Sequence, residues 1–195
     1  MDNIAIVLLA AGKSSRMGSP KQLLDFHGQP LVRHAALAAL GSQCRPVIIV
    51  CGAFEEMVRA ALSDLPVTIA PNPLWEKGIG TSIQAGLSAL PETASAAILT
   101  LGDLPLLTAA TYDHLASLHR GTGKPIVAAE YAETVGVPVL FARSAFGDLM
   151  RLQPDQGCKG IILRNSAEAI RMACPEAEVD VDTPVDHTSL LAREN

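Results

Sequence analysis

Apolar runs of strand length, alternating with helix-period stretches, constrain this chain more than any other feature. Ile4 to Leu9, Val47 to Cys51, Val67 to Ala70, Ala97 to Leu101 and Ile126 to Ala129 are such runs, and the first holds no polar side chain. A strand with one wet face alternates apolar and polar residues, so continuous runs predict strands covered on both faces, as in a parallel sheet. Between the first two, Pro30 suits a first helical residue and Gly41 a helix stop. Phe54, Met57, Val58, Ala61 and Leu62 follow helical spacing, as do Ile83, Gly86, Leu87 and Leu90, and a further helix is predicted from Thr108, burying Tyr112, Leu115 and Leu118. Strand and helix in repeated alternation imply right-handed crossovers, hence a doubly wound α/β fold with ligands at the carboxyl ends of its strands. Beyond about residue 130 the alternation loosens. Gly136 to Phe141 reads as a strand and two short helices surround Arg151 to Gly160, so this part is predicted to form a lid or acceptor-side insertion.

With 195 residues, 49% hydrophobic and 18% charged, the chain can bury one substantial core, and 1–195 is expected to be a single domain. Mean hydropathy is positive, at +0.28, yet runs such as Ile4 to Ala11 fall far below the ~20 residues that span a bilayer. Met1-Asp2-Asn3 leads straight into the first strand without the features of a signal peptide, so a cytoplasmic protein with no membrane partner is expected. A formal net charge of -5 opposes the basic face that nucleic-acid binding requires. Cys44, Cys51, Cys158 and Cys174 are scattered, which predicts reduced thiols. His27, His34, His114, His119 and His187 lack ligand spacing and read as surface or structural residues.

Directly after the first strand, Gly12, Ser14, Ser15 and Gly18 form a flexible turn able to aim backbone N–H groups and hydroxyls at one anion, and Arg16 and Lys21 add positive charge. Two familiar phosphate motifs do not fit. A Walker loop needs glycine where this chain has Val7. The dinucleotide fingerprint needs three closely spaced glycines, and this loop has Gly12 and Gly18. On residue chemistry alone, an ordinary strand-to-helix loop with solvated Arg16 and Lys21 accounts for the segment as well.

The order Leu9-Ala10-Ala11-Gly12-Lys13-Ser14-Ser15-Arg16-Met17-Gly18, followed by Lys21, resembles the signature loop of the molybdopterin cytidylyltransferase family, within the MobA-like NTP transferases. The resemblance continues, in order, at Gly78 to Ser82, Gly102 to Pro105, Gly136 to Pro138, Asp155 to Lys159 and Asp180 to Pro184. It implies a Rossmann-like three-layer α/β/α sandwich with a mostly parallel sheet, as in nucleotide-diphospho-sugar transferases. About 1–130 would be the nucleotide-binding part and about 131–195 the acceptor side. It also implies a nucleotide site formed by Leu9, Ala10, Ala11, Gly12, Ser14, Ser15 and Gly18, with Arg16 and Lys21 catalytic.

Asp103 follows the strand Ala97 to Leu101, so its carboxylate projects from the edge of the sheet where the loop also lies. Hard cations take oxygen ligands, and magnesium usually takes one or two carboxylates with waters and phosphates filling the rest. A turn residue bonding its own backbone ahead of Pro105 is the plainer account of Asp103. In Asp180-Val181-Asp182-Thr183-Pro184-Val185-Asp186, Thr183 reads as a helix cap with Pro184 first and Asp186 third in the helix, which explains Asp186 without chemistry. Asp180 and Asp182 would share one face of a strand, and either could reach a metal. The resemblance favours Asp182, giving Mg2+ the ligands Asp103 and Asp182, with Asp103 also catalytic.

Gly78 and Gly80 flank Ile79 before a predicted helix, so backbone and the Thr81 and Ser82 hydroxyls can approach a ligand at its N-terminus, and either hydroxyl suits a cap. The resemblance assigns Gly80, Thr81 and Ser82 to the nucleoside, and Gly136, Pro138 and Lys159 to the acceptor. The chain departs from the family at Val137, often histidine, and at Cys158, often alanine. Related guanylyltransferases carry glycine where this chain has Ala11, and the added methyl narrows the pocket against a purine by roughly 1–3 kcal/mol. The resemblance therefore implies CMP transfer from CTP to the phosphate of molybdopterin with release of pyrophosphate, and a molybdenum hydroxylase as recipient of the product. A sugar or polyol phosphate acceptor is the first alternative, since the fold is shared by many substrates. A non-catalytic molybdenum cofactor-binding chaperone is the second, against which the Asp103 and Asp182 pair speaks.

Overall fold

The structure, a computed structural model, describes residues 3–14 and 20–192. Its strands are β1 (Ile4–Ala10), β2 (Asp25–Phe26), β3 (Gln29–Pro30), β4 (Val47–Cys51), β5 (Thr68–Pro71), β6 (Ala96–Leu101), β7 (Ile126–Tyr131), β8 (Thr134–Ala142) and β9 (Ala169–Ala173). The helices are α1 (Leu31–Gly41), α2 (Glu55–Ala61), α3 (Ile79–Ser88), α4 (Ala109–Thr122), α5 (Phe146–Leu149), α6 (Lys159–Arg164) and α7 (Pro184–Ala192). Seven strands form one sheet in the order β5-β4-β1-β6-β8-β7-β9, and β2 pairs with β3 in a small hairpin. Among the described strands of the large sheet, β8 runs antiparallel to both neighbours and every other pairing is parallel.

Every residue of β1 is buried, because side chains alternate between two cores. Ile6 and Leu8 enter one, with Val32 and Ala35 of α1, Val58 of α2, and Tyr112 and Leu115 of α4. Val7 and Leu9 enter the other, with Ile83 and Leu87 of α3 and Ile161 of α6. Helices therefore cover both faces in a three-layer α/β/α sandwich with a mostly parallel sheet. Helix α4 begins at Thr108 in a capping box with Thr111 and ends at Gly123 in the left-handed region, as helix chemistry prescribes.

Several local expectations need correction. Pro30 precedes α1 rather than opening it, since its backbone is extended and pairs with Asp25 across the β2–β3 hairpin. Residues beyond 130 are not a lid or insertion. β8 and β9 complete the central sheet, and a division near 130 cuts through β7. Asp180 and Asp182 lie in no strand but in the connection that leads into α7.

All four cysteines are buried free thiols, and burial pushes those of Cys51 and Cys158 up to about 12, away from reactive thiolate. Among the described residues no helix is long and apolar enough to cross a membrane.

The chain leaves β1 for β4 and β5 on one side, then returns to β6 on the other. Crossovers thus diverge from between β1 and β6. At such a switch point the loops separate and leave a crevice beyond the carboxyl ends of the strands.

Candidate active site

A cleft of about 530 Å³ opens at that point, within the range of small-ligand sites. Leu9, Ala10, Ala11, Gly12, Lys13 and Ser14 from the end of β1 line one side, and Leu101, Gly102 and Asp103 from the end of β6 line another. Gly102 N–H donates to Leu9 O at 3.1 Å, which ties the two strand ends together. Ser15, Arg16, Met17 and Gly18, singled out in the sequence for phosphate binding or catalysis, lie outside the described residues.

Gln22 shapes the described part of the loop. Its Nε2 donates to the carbonyls of Ala10 (3.2 Å) and Gly12 (2.6 Å), while Ser14 Oγ donates to its Oε1 at 3.1 Å. Lys21 N–H donates in turn to Ser14 Oγ at 3.0 Å. With those carbonyls turned inward to a buried amide, the loop is held closed on itself beside the cleft. Sequence reasoning passed over Gln22, whose one signal was its place directly after Lys21. Gln22→Ala would leave buried acceptors unpaired, a cost of about 2 kcal/mol. A fall in melting temperature of roughly 4–8 °C is expected, measurable by calorimetry, together with a higher KM for nucleotide.

Opposite the loop, Lys21 Nζ bridges two carboxylates, contacting Asp103 Oδ2 closely and Asp182 Oδ1 at 2.7 Å. Desolvation works against the lysine charge, yet attraction and hydrogen bonds to Asp103 and Asp182 hold its pKa above the ordinary value. Asp103 is buried, and its Oδ1 has no hydrogen-bond partner among the described residues. Asp103 O accepts from Val181 N–H at 3.2 Å, which brings the α7 connection to the site. Val181 itself is buried with Phe26, Leu31 and Leu190, anchoring the segment between its two aspartates. Asp186 accepts from the N–H groups of Asp182 (3.2 Å) and Thr183 (2.7 Å) and from Thr183 Oγ1, and thereby fixes the approach of Asp182 as well as capping α7. Burial raises the Asp180 pKa, and repulsion from Asp182 and Asp103 adds to it, so three carboxylates crowd this edge.

The donor set suits a hard divalent cation. Among the described residues no group of three or more His, Cys, Asp or Glu is placed to hold a metal, so protein alone would supply at most a carboxylate pair, the usual provision for magnesium. The unpartnered Asp103 Oδ1 is a buried lone-pair site that such a cation would satisfy.

The N-terminus of α3 forms the third wall. Gly78 has a φ of 127°, which disfavours any side chain, and it precedes the helix in place of a side-chain cap. Ser82, Gly78 and Ile79 line the cleft. Gly80 and Thr81 are not among its lining residues. Gly80 N–H donates to Pro154 O at 2.8 Å, and a Cβ on Gly80 would lie 2.3 Å from Gln153 O. The close approach of the 153–157 loop therefore requires glycine here. Thr81 Oγ1 donates to the carbonyls of Leu74 and Gly78, and buried Asn72 donates to the Thr81 and Ser82 hydroxyls at 2.9 and 3.0 Å. Asn72, Trp75 and Glu76, the last two lining the cleft, escaped sequence reasoning because a polar or aromatic turn after a strand carries no distinctive pattern.

The residues expected on the acceptor side stand outside the cleft lining. Since β8 runs against β6, its leading end with Gly136 and Pro138 lies at the same carboxyl edge. The β6–β8 pairing stops at Val139, next to Pro138, which has no N–H to donate. Lys159 begins α6 and is exposed. None of the three lines the cleft.

Comparison with known proteins agrees with this geometry. The chain matches the MobA-like NTP transferase domain over residues 6–169. It is 34% identical to bifunctional protein GlmU of Kineococcus radiotolerans over 181 residues, 91% of this chain and 35% of that protein. It is 39% identical over 115 residues to nicotine blue oxidoreductase of Paenarthrobacter nicotinovorans, covering 58% and 56% of the two chains. The chain spans about a third of the length of the GlmU relatives it matches. Rv0371c of Mycobacterium tuberculosis H37Rv superposes with a TM-score of 0.86 at 29% identity over 98% of each chain. A complex of that protein with manganese gives 0.83 at 28% identity, over 97% of this chain and 98% of that one. With a cleft at the switch point of a doubly wound sheet and a family match across most of its length, the chain belongs to the MobA-like NTP transferase domain family.

Proposed function

We propose that the cleft transfers CMP from CTP to the phosphate of molybdopterin, releasing pyrophosphate, with a divalent cation, Mg2+, as cofactor. The observation that carries it is Asp103, a buried carboxylate with one oxygen unpartnered among the described residues, set with Asp182 beside the phosphate-loop lysine. A binding protein has no need of that arrangement. The manganese complex of the related Rv0371c supports a divalent ion in the family.

In the transfer, an acceptor phosphate oxygen forms a bond to the α phosphorus of CTP, and the bond to the bridging oxygen breaks, its electron pair leaving with pyrophosphate. Such a displacement needs positioning and charge neutralisation rather than a covalent nucleophile. Asp103 and Asp182 would hold the cation, which when bound supplies Lewis-acid neutralisation of phosphate charge. The Gly12 to Ser14 backbone, held by Gln22, and the Lys21 ammonium bind the triphosphate, while Ser82 and Trp75 face the nucleoside. Arg16 is proposed to add charge to the same phosphates. Gly136, Pro138 and Lys159, at or beyond the outer edge, are proposed to receive the acceptor.

The base preference rests on Ala11, which is buried at the inner wall of the cleft. Incubation with CTP or GTP, Mg2+ and molybdopterin, with products identified by mass, tests the whole assignment. A cytosine dinucleotide is expected. Equal use of GTP would overturn the base preference, and product only from sugar or polyol phosphates would overturn the acceptor. Ala11→Gly is expected to narrow the CTP-over-GTP ratio of kcat/KM by about tenfold, the scale of one methyl in a pocket.

A further inference from the structure

We infer that Lys21 is an internal counter-cation: without nucleotide its ammonium holds the point between Asp103 and Asp182 that a divalent ion would need, so that metal binds with nucleotide rather than before it. The inference rests on the assignment of the cleft as a nucleotide and metal site, and it adds an order of binding.

Three observations combine. Lys21 Nζ touches Asp103 Oδ2 and Asp182 Oδ1 at once. Its main chain is tied to the phosphate loop through Ser14 Oγ, and the residue lines the cleft with Gly12 to Ser14. The flexible four-carbon stem thus starts within the loop proposed to hold phosphate and ends on the carboxylates proposed to hold metal. An ammonium and a divalent ion cannot share the same pair of carboxylate oxygens, since both would need the same contacts and their charges repel.

A bound triphosphate changes the balance. It gives the ammonium another partly desolvated anion within reach and brings its own oxygen ligands for the metal. Each ligand then favours the other, and the coupling is reciprocal. Asp103 Oδ1, unpartnered among the described residues, marks what the ammonium leaves unsatisfied.

The test is a titration of the full chain with Mn2+ alone, followed by calorimetry or by the paramagnetic resonance of free Mn2+, in wild type, Lys21→Met, Lys21→Gln and Lys21→Arg. Both neutral variants are expected to bind Mn2+ about tenfold more tightly than wild type, within the ordinary scale of such couplings. Lys21→Arg, which keeps the charge, is expected to bind it as weakly as wild type. Affinity in the neutral variants equal to or below that of wild type would overturn the inference. Trp75, the single tryptophan of the chain, lines the cleft, so its fluorescence reports CTP binding independently. If CTP with Mn2+ changes that fluorescence in wild type while the neutral variants gain no affinity for Mn2+, the counter-cation role fails and the nucleotide site stands. If CTP produces no response, the nucleotide assignment fails and the inference with it.

Discussion

Asp103→Asn is expected to lower pyrophosphate release from CTP by on the order of 10³-fold at saturating Mg2+, with little change in folding. Asparagine keeps the shape of the side chain and removes its charge. The main-chain bond from Val181 to Asp103 O, which docks the α7 connection, does not depend on that charge. What is lost is the buried carboxylate proposed to hold the cation, where water cannot substitute. Neutralisation of phosphate charge by a held cation is worth several kcal/mol, and each tenfold in rate is about 1.36 kcal/mol. Asp182 differs. Its side chain is 40% exposed, so solvent can replace part of its role, and Asp182→Asn is expected to cost less, roughly 10–100-fold. Near-normal turnover of Asp103→Asn, with thermal unfolding confirming the fold, would remove metal-assisted transfer from consideration.

The sandwich was legible in the sequence where strands are buried on both faces. Ile4 to Leu9 and Val47 to Cys51 belong to interior strands of the sheet, and there burial forces uninterrupted apolar composition. Beyond residue 130 the strand Gly136 to Phe141 and the two short helices were legible, but the place of that strand inside the sheet was not, because β7 and β8 turn through Ala132 and Glu133 at φ of 44° and 58°. A tight turn of that kind usually announces itself with Asn-Gly or Asp-Gly, and Ala-Glu gives no such sign. β9 sits at the sheet edge with mixed exposure, so its pattern is weak as well. In the site, the charged residues were visible: Lys21, Asp103 and Asp182 converge although the first and last are far apart in sequence. Residues that hold other residues were not. Gln22 and Asn72 act through hydrogen bonds to the loop and to α3, and a buried amide is recognisable only once its neighbours are known. The strand expected to carry Asp180 and Asp182 on one face is absent among the described residues; burial of Val181 between them anchors the segment instead.

Gly80→Ala is expected to destabilise the protein by about 3 kcal/mol, against the direction that helix propensity alone dictates. In an open helix, alanine is favoured over glycine by roughly 1 kcal/mol. At Gly80 the new methyl would lie 2.3 Å from Gln153 O and 3.0 Å from both Pro154 O and Gln156 O. These are backbone atoms, so no rotamer change relieves the overlap, and the cost belongs at the upper end for overpacking. The 153–157 loop must move away from α3, which breaks the bond from Gly80 N–H to Pro154 O and strains the hold of Gln84 on the carbonyls of Met150 and Leu152. A fall in melting temperature of roughly 6–12 °C should follow for a domain of this size. Gly121 supplies the opposite sign. It lies in α4, and a methyl group added there would meet nothing within 4 Å, so Gly121→Ala is expected to stabilise by up to about 1 kcal/mol. Because Gly78, Ile79 and Ser82 line the cleft from the same helix end, the Gly80 variant should also raise KM for nucleotide, whereas the Gly121 variant should leave it unchanged. A Gly80→Ala protein as stable as wild type would show that α3 and the 153–157 loop do not make this close contact.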